Sequence, residues 1–370
     1  MKKVLLFARD PGGANVIMAM EEKLNETYQV LLWGKDVAFQ KFQTAGLPVQ
    51  DIGKKIKEIN LETVITFVKQ LNPDIMLTGT SADDMTEKYM WKAGEKLGIP
   101  SFAILDQWTN YGLRFSKYGV NEIAKYEQER QHEYLPDRIL VMDEFAKEKM
   151  QEDGVSQDRI LVTGQPYLEW FRQKVNEIDK KSIQEYHFSH TQGKGKLIVF
   201  ASEPITKTYG ENSEYWGYTE VTIFEHFHDI LKDITEKGRF NVSVVVRPHP
   251  KEDIEIWKER LKNTQYITYF LDNQTEYKLA IASADLIVGM TSMFLLESAL
   301  CGKEIVSLQI GLDRENSFIL EKKGLVKSVL SKEEAQKHMQ SYFQGRLPKV
   351  KWDVPENAIF NIERVMEEWV

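Results

Sequence analysis

The chain has 370 residues, more than one hydrophobic core usually organises, so two domains of roughly 170 to 190 residues are expected. Its make-up of 42% hydrophobic, 28% charged and 11% aromatic residues leaves no room for a long disordered or collagen-like tract. A formal net charge of -8 excludes a general nucleic-acid binder, which needs a surplus of Lys and Arg.

The apolar run Val4 to Ala8 is too short for a signal-peptide core, and no stretch approaches the ~18 apolar residues of a membrane span. A cytoplasmic location is therefore expected, with peripheral membrane association left open and the oligomeric state unread. The one cysteine, Cys301, has no partner for an internal disulfide and lies in an apolar run, which suits a structural thiol.

In chain order, VLLFA, RDPGGAN and VIMAMEEKL read as a buried strand, a glycine-bearing turn and a helix, and a second strand follows at Gln29 to Trp33. Helix at 61–71, strand at 74–79, helix at 86–97 and strand at 101–105 continue the alternation of a doubly wound parallel sheet. Strands at 138–142 and 159–163 flank a helix at 144–152, and Pro166 is expected to end the alternation. Residues 167–195 read as a polar linker. Strands at 197–201, 242–246, 267–270, 286–288 and 305–308 make a second α/β unit over 196–354. Residues 355–370 have helical spacing and are expected to pack back on the first domain, 1–166.

In open parallel sheets, ligands bind beyond the carboxyl ends of the strands, so residues just after each strand are the candidates. After the first strand, Gly12 and Gly13 permit close backbone approach, and Asn15 is placed to meet a sugar. This is not the G-x-G-x-x-G fingerprint. Asp106 ends a later strand and is the first candidate base, with Trp108 beside it to stack a sugar ring; a structural strand-end pair is the alternative. Asp84 and Asp10 compete for the same role, Asp84 with helix capping as its plain explanation.

In the second half, VVVRPHP presents Arg247 and His249 on a proline-stiffened strand end. Arg247 can fork two phosphate oxygens, and His249 can donate to an anionic leaving group. Pairing of Arg247 with a local carboxylate, and of His249 with a loop, is the alternative. Thr291 and Ser292 fall at a helix start, where free N–H groups favour an anion, although hydroxyls there are commonly plain caps. Glu297, in the same apolar helix, is suited to ribose hydroxyls or to a buried partner. Glu203 and Lys207 follow the first strand of this half and read as a donor-side loop, a plain surface loop being the alternative.

RPHP followed by ADLIVGMTSMFLLESALCGKEIVSL (284–308) resembles the C-terminal domain of GT-B glycosyltransferases. The resemblance implies an α/β GT-B fold: two Rossmann-like domains, acceptor then nucleotide-donor, whose parallel sheets face an interdomain cleft. More narrowly, the motifs are similar to bacterial sialyltransferases and Kdo transferases of capsule synthesis, and to CDP-glycerol-dependent teichoic acid polymerases. The D-Y-S-S form of the last group is here Gly289-Met290-Thr291-Ser292. That likeness implies that His249, Thr291 and Ser292 contact a CMP phosphate and that Glu297 contacts the ribose.

The function so implied is inverting transfer of a nonulosonic acid or Kdo from a CMP donor to a surface-glycan or flagellin acceptor. No cofactor beyond the nucleotide-sugar donor is expected, and no His, Cys and carboxylate cluster has metal-ligand spacing, so metal-independent chemistry is expected. The rivals are a UDP-GlcNAc 2-epimerase-like enzyme, which needs no acceptor, and a non-catalytic nucleotide-sugar-binding protein.

Overall fold

A computed structural model describes residues 1–210, 215–352 and 354–369. The chain divides into two compact units, Met1–Trp170 with Asp353–Val370, and Phe171–Trp352.

The first unit is built on seven parallel strands: β1 (Lys3–Ala8), β2 (Gln29–Gly34), β3 (Gln50–Asp51), β4 (Ile75–Thr78), β5 (Ser101–Ile104), β6 (Arg138–Val141) and β7 (Ile160–Val162). Their order in the sheet is β3-β2-β1-β4-β5-β6-β7, so the winding reverses between β1 and β4. Helices cover both faces, which is why these strands read as unbroken apolar runs instead of alternating ones. β4 and β5 are buried at every residue. One face packs Leu5, Phe7 and Met76 against Phe67, Val68 and Met90; the other places Ala103, Leu105 and Ile139 beside Trp91 and Phe115.

The second unit has five parallel strands: β8 (Lys196–Ala201), β9 (Val242–Arg247), β10 (Ile267–Leu271), β11 (Leu286–Gly289) and β12 (Ile305–Ser307). The order β10-β9-β8-β11-β12 reverses between β8 and β11. Its core gathers Ile198, Phe200, Val244 and Leu286 with Phe224, Phe227 and Trp257. The Glu220–Gly238 helix that supplies the phenylalanines starts from a reciprocal Thr219–Thr222 capping box.

Two expectations are corrected here. The segment read as a polar linker is two helices, Pro166–Asn176 and Lys180–Thr191, and Pro166 begins the first of them instead of stopping the alternation. Proline suits a first helical position, because the N–H it lacks would have no partner there. Asp179 caps the second helix, accepting from Ser182 N at 2.9 Å, and Tyr186 is buried against the unit.

The terminal helix, Ala358–Glu367, lies with the first unit, buries Ala358, Ile362 and Met366, and receives a 2.8 Å bond from Thr27 Oγ1 at Glu363. Among the described residues no helix is long and apolar enough to cross a membrane. Cys301 is half-buried at the end of the Met293–Leu300 helix, and burial pushes its thiol up to about 12, which keeps it un-ionised and unreactive.

Candidate functional site

In each unit the polar residues gather where the strand order reverses, the place at which open α/β sheets hold ligands. They are described unit by unit.

In the first unit the turn after β1, the loop after β4 and the loop after β5 meet around Asp106. Asp106 is buried, and its Oδ1 accepts from Arg114 Nη1 at 2.7 Å and lies 3.4 Å from Thr80 Oγ1. Arg114 is buried too, and also donates to the carbonyls of Thr80 and Thr109. A buried carboxylate is tolerated here because a guanidinium, itself held by two carbonyls, stands against it. The other oxygen, Oδ2, lies over Gly12: a Cβ added at Gly12 would fall 1.8 Å from it. Gly79 is packed against the same turn: a Cβ added there would fall 2.8 Å from Gly13 Cα, whereas one added at Gly13 would meet Gly79 Cα at 3.4 Å. Gly12 is therefore needed for close approach of backbone to a carboxylate, and Gly79 for close approach of backbone to backbone.

The other carboxylates divide into two kinds. Asp10 is held by Arg9 at 2.6 Å, and Asp84 pairs with Lys35 and accepts from Thr86 N at 2.9 Å, while the cap position of the Thr86–Leu97 helix is Met85. Burial alone would raise the Asp84 pKa, but Lys35 and Thr86 together hold it below the usual range. Each is thus paired with a cation, as Asp106 is with Arg114.

Glu87, which the sequence reading did not single out, is fully buried. Its Oε2 accepts from Ser81 N, while Oε1 has no partner among the described residues. Burial, with Asp10, Asp84 and Asp106 nearby, pushes its pKa up to about 8, so it is largely neutral at pH 7. Its signal was present in the sequence: Glu87 shares a helix face with Met90, Trp91 and Gly94, an acid on an apolar stripe.

Trp108 is half-buried and donates from Nε1 to Asp143 at 2.9 Å, so its edge is fixed to the fold. Asn15 lies half-exposed on the Pro11–Thr27 helix, two residues past Gly13.

In the second unit Glu203, after β8, reaches across the reversal to the loop after β11. Its Oε1 accepts from Thr291 N at 2.5 Å and Ser292 N at 2.8 Å, and its Oε2 accepts from Thr291 Oγ1 at 2.8 Å. Burial raises the Glu203 pKa, and these bonds oppose the rise. The start of the Met293–Leu300 helix is thus an anion holder, occupied by a carboxylate of the chain itself. Lys207 is exposed on the short Ile205–Tyr209 helix, and Glu297 is buried.

Arg247 realises its alternative: Nη1 donates to Asp272 Oδ2 and Nη2 to the Thr275 carbonyl, both at 2.9 Å. Asp272 also receives Tyr186 Oη at 2.9 Å, which makes the arginine a brace between loops. His249 Nδ1 accepts from Lys251 N at 3.1 Å. Burial, then Lys251, lowers its pKa, so the ring is neutral and carries its proton on Nε2, one donor with no charge. Glu252 was missed: it accepts from His249 N, from Ser202 Oγ at 2.7 Å and from Trp257 Nε1 at 3.2 Å, tying the RPHP turn to the loop after β8.

The fold is of the GT-B-like class, two Rossmann-like units with parallel sheets. It is shared along the whole chain with UDP-GlcNAc 2-epimerase from Methanocaldococcus jannaschii (TM-score 0.69, 13% identity, 99% of each chain covered). It is shared with UDP-GlcNAc 2-epimerase from Neisseria meningitidis bound to UDP-GlcNAc (0.66, 16%, 100% of this chain and 99% of that one). MurG of Acinetobacter baumannii matches as well (0.61, 12%, 100% of each). No protein-family model matches the chain, and no curated protein matches it by sequence.

Proposed function

We propose that the chain is an enzyme acting on a UDP-linked sugar, in a reaction of the 2-epimerase kind that needs no acceptor. One observation carries the reading: the Asp106 carboxylate is fixed by Arg114 and lies over the Gly12–Gly13 turn where the first sheet reverses. Inverting a carbon that bears hydrogen needs a group to take a proton, and a preorganised, half-satisfied carboxylate is such a group. In the second unit the Thr291–Ser292 helix start is the phosphate holder, with neutral His249 as a further donor.

Uridine is preferred to the cytidine implied by the RPHP motif because the full-length structural neighbours include an epimerase bound to UDP-GlcNAc. Sugar transfer is the second reading. It is favoured by the RPHP and Thr291–Ser292 pairing itself, and by the full-length likeness to MurG; a CMP donor and a glycan or flagellin acceptor belong to it.

Calorimetric titration with CMP, CDP, UDP and GDP, repeated on His249→Ala, tests the nucleotide. UDP is expected to bind most tightly, with an affinity loss of about tenfold in the variant, the worth of one hydrogen bond to a charged oxygen. Preference for CMP would move the assignment to the transferase reading.

A further inference from the structure

The position that the proposed function gives to a phosphate in the second unit is filled by Glu203. The contact is not ordinary capping. Ser292 stands at the cap position, yet its hydroxyl makes no cap bond and is buried without a partner among the described residues. The N–H groups of Thr291 and Ser292, just ahead of the helix, are taken by a carboxylate 88 and 89 residues away.

That carboxylate accepts from Thr291 N, Thr291 Oγ1 and Ser292 N. Phosphate oxygens would use the same donors, and two anions cannot share them.

We propose that Glu203 is a built-in competitor for phosphate, a carboxylate latch that an incoming nucleotide must displace from Thr291 and Ser292. The inference rests on the reading of this helix start as the phosphate holder. The moving part is the side chain alone, because the backbone on each side is anchored. Ser202 N donates to the Arg247 carbonyl at 3.0 Å and its hydroxyl to Glu252. Beyond it, Ile205 is buried, and Thr206 donates to Glu220 from N at 2.9 Å and from Oγ1 at 2.7 Å. Rotation about the Glu203 side-chain bonds frees the site without unfolding the loop. The Thr291 and Ser292 N–H groups are thereby kept satisfied while no nucleotide is bound, and only an anion that outbids one carboxylate is admitted.

The test is calorimetric titration of the full chain with UDP and with inorganic phosphate, at fixed pH and ionic strength, on the wild type, Glu203→Ala, Glu203→Gln and Ser292→Pro. Ser292 has φ of -64°, which proline adopts, so Ser292→Pro removes one N–H donor with the helix start kept. Glu203→Gln keeps the side chain's size should Glu203→Ala unfold, and melting curves check all four proteins.

The latch is supported if both Glu203 variants bind UDP tighter by roughly ten- to a hundredfold, the release of a charge-assisted contact, while Ser292→Pro binds it more weakly. Unchanged or weaker binding by the Glu203 variants, with Ser292→Pro still impaired, overturns the latch and leaves the phosphate reading standing. UDP affinity unaffected by Ser292→Pro, or no binding by any of the four, overturns the phosphate reading and the latch with it.

Discussion

Glu87 carries the clearest consequence at the residue scale. A carboxyl whose pKa is 4.5 in the unfolded chain and about 8 when folded binds more protons in the native state across that interval. Stability from this group is therefore fully present below pH 4.5 and is lost as pH rises toward 8. Glu87→Gln, which cannot ionise, should raise the melting temperature at pH 8 by at least about 2 °C and change it little at pH 4.5. Melting curves at the two pH values check this, and equal shifts at both would show that Glu87 is ionised in the fold. The sequence made Asp106 legible because an acid after an apolar strand is easy to find. Arg114 and Thr80 were not legible, since nothing in a loop sequence tells which cation folds back on a carboxylate eight residues earlier. The same limit left Arg247 with two readings until Asp272 was seen against it.

Among the elements, the turn after β1 and the loops around β9 lead to opposite expectations. Gly12→Ala places a methyl 1.8 Å from an Asp106 oxygen that Arg114 prevents from yielding. The variant should keep the fold of the first unit and lose activity by a factor of about 100 or more, as for a misplaced general base. Unimpaired turnover would detach the turn from the chemistry. Arg247→Met should instead cost about 1 to 2 kcal/mol of stability in the second unit by taking the guanidinium from Asp272, which keeps Tyr186 Oη and the N–H groups of Gln274 and Thr275, while UDP affinity stays within about threefold. Denaturant unfolding and titration on the same variant separate the two effects, and a large loss of affinity with normal stability would return Arg247 to the phosphate. Strands and most helices were readable because burial on both faces makes parallel strands uniformly apolar. The helices at 166–191 were not: the first does bury a stripe of Tyr167, Leu168, Phe171 and Val175, but its opening proline reads as a stop, and the second buries only Tyr186 and Thr191, too few for a stripe amid charged neighbours.

For the whole molecule, alternation of strand and helix and the RPHP motif pointed to two Rossmann-like units, and the two parallel sheets and the full-length structural neighbours bear out that fold. The substrate was less legible for a physical reason: the backbone donors of a helix start recognise any phosphate and carry no information about the base or sugar beyond it. The reaction is therefore decided by turnover.

The most direct measurement is proton NMR of the full chain with UDP-GlcNAc in D2O, with no acceptor present. The account expects a second set of UDP-sugar signals with deuterium at the inverted carbon, and its loss in Asp106→Asn. An unchanged sugar spectrum from protein that binds UDP would contradict the epimerase assignment.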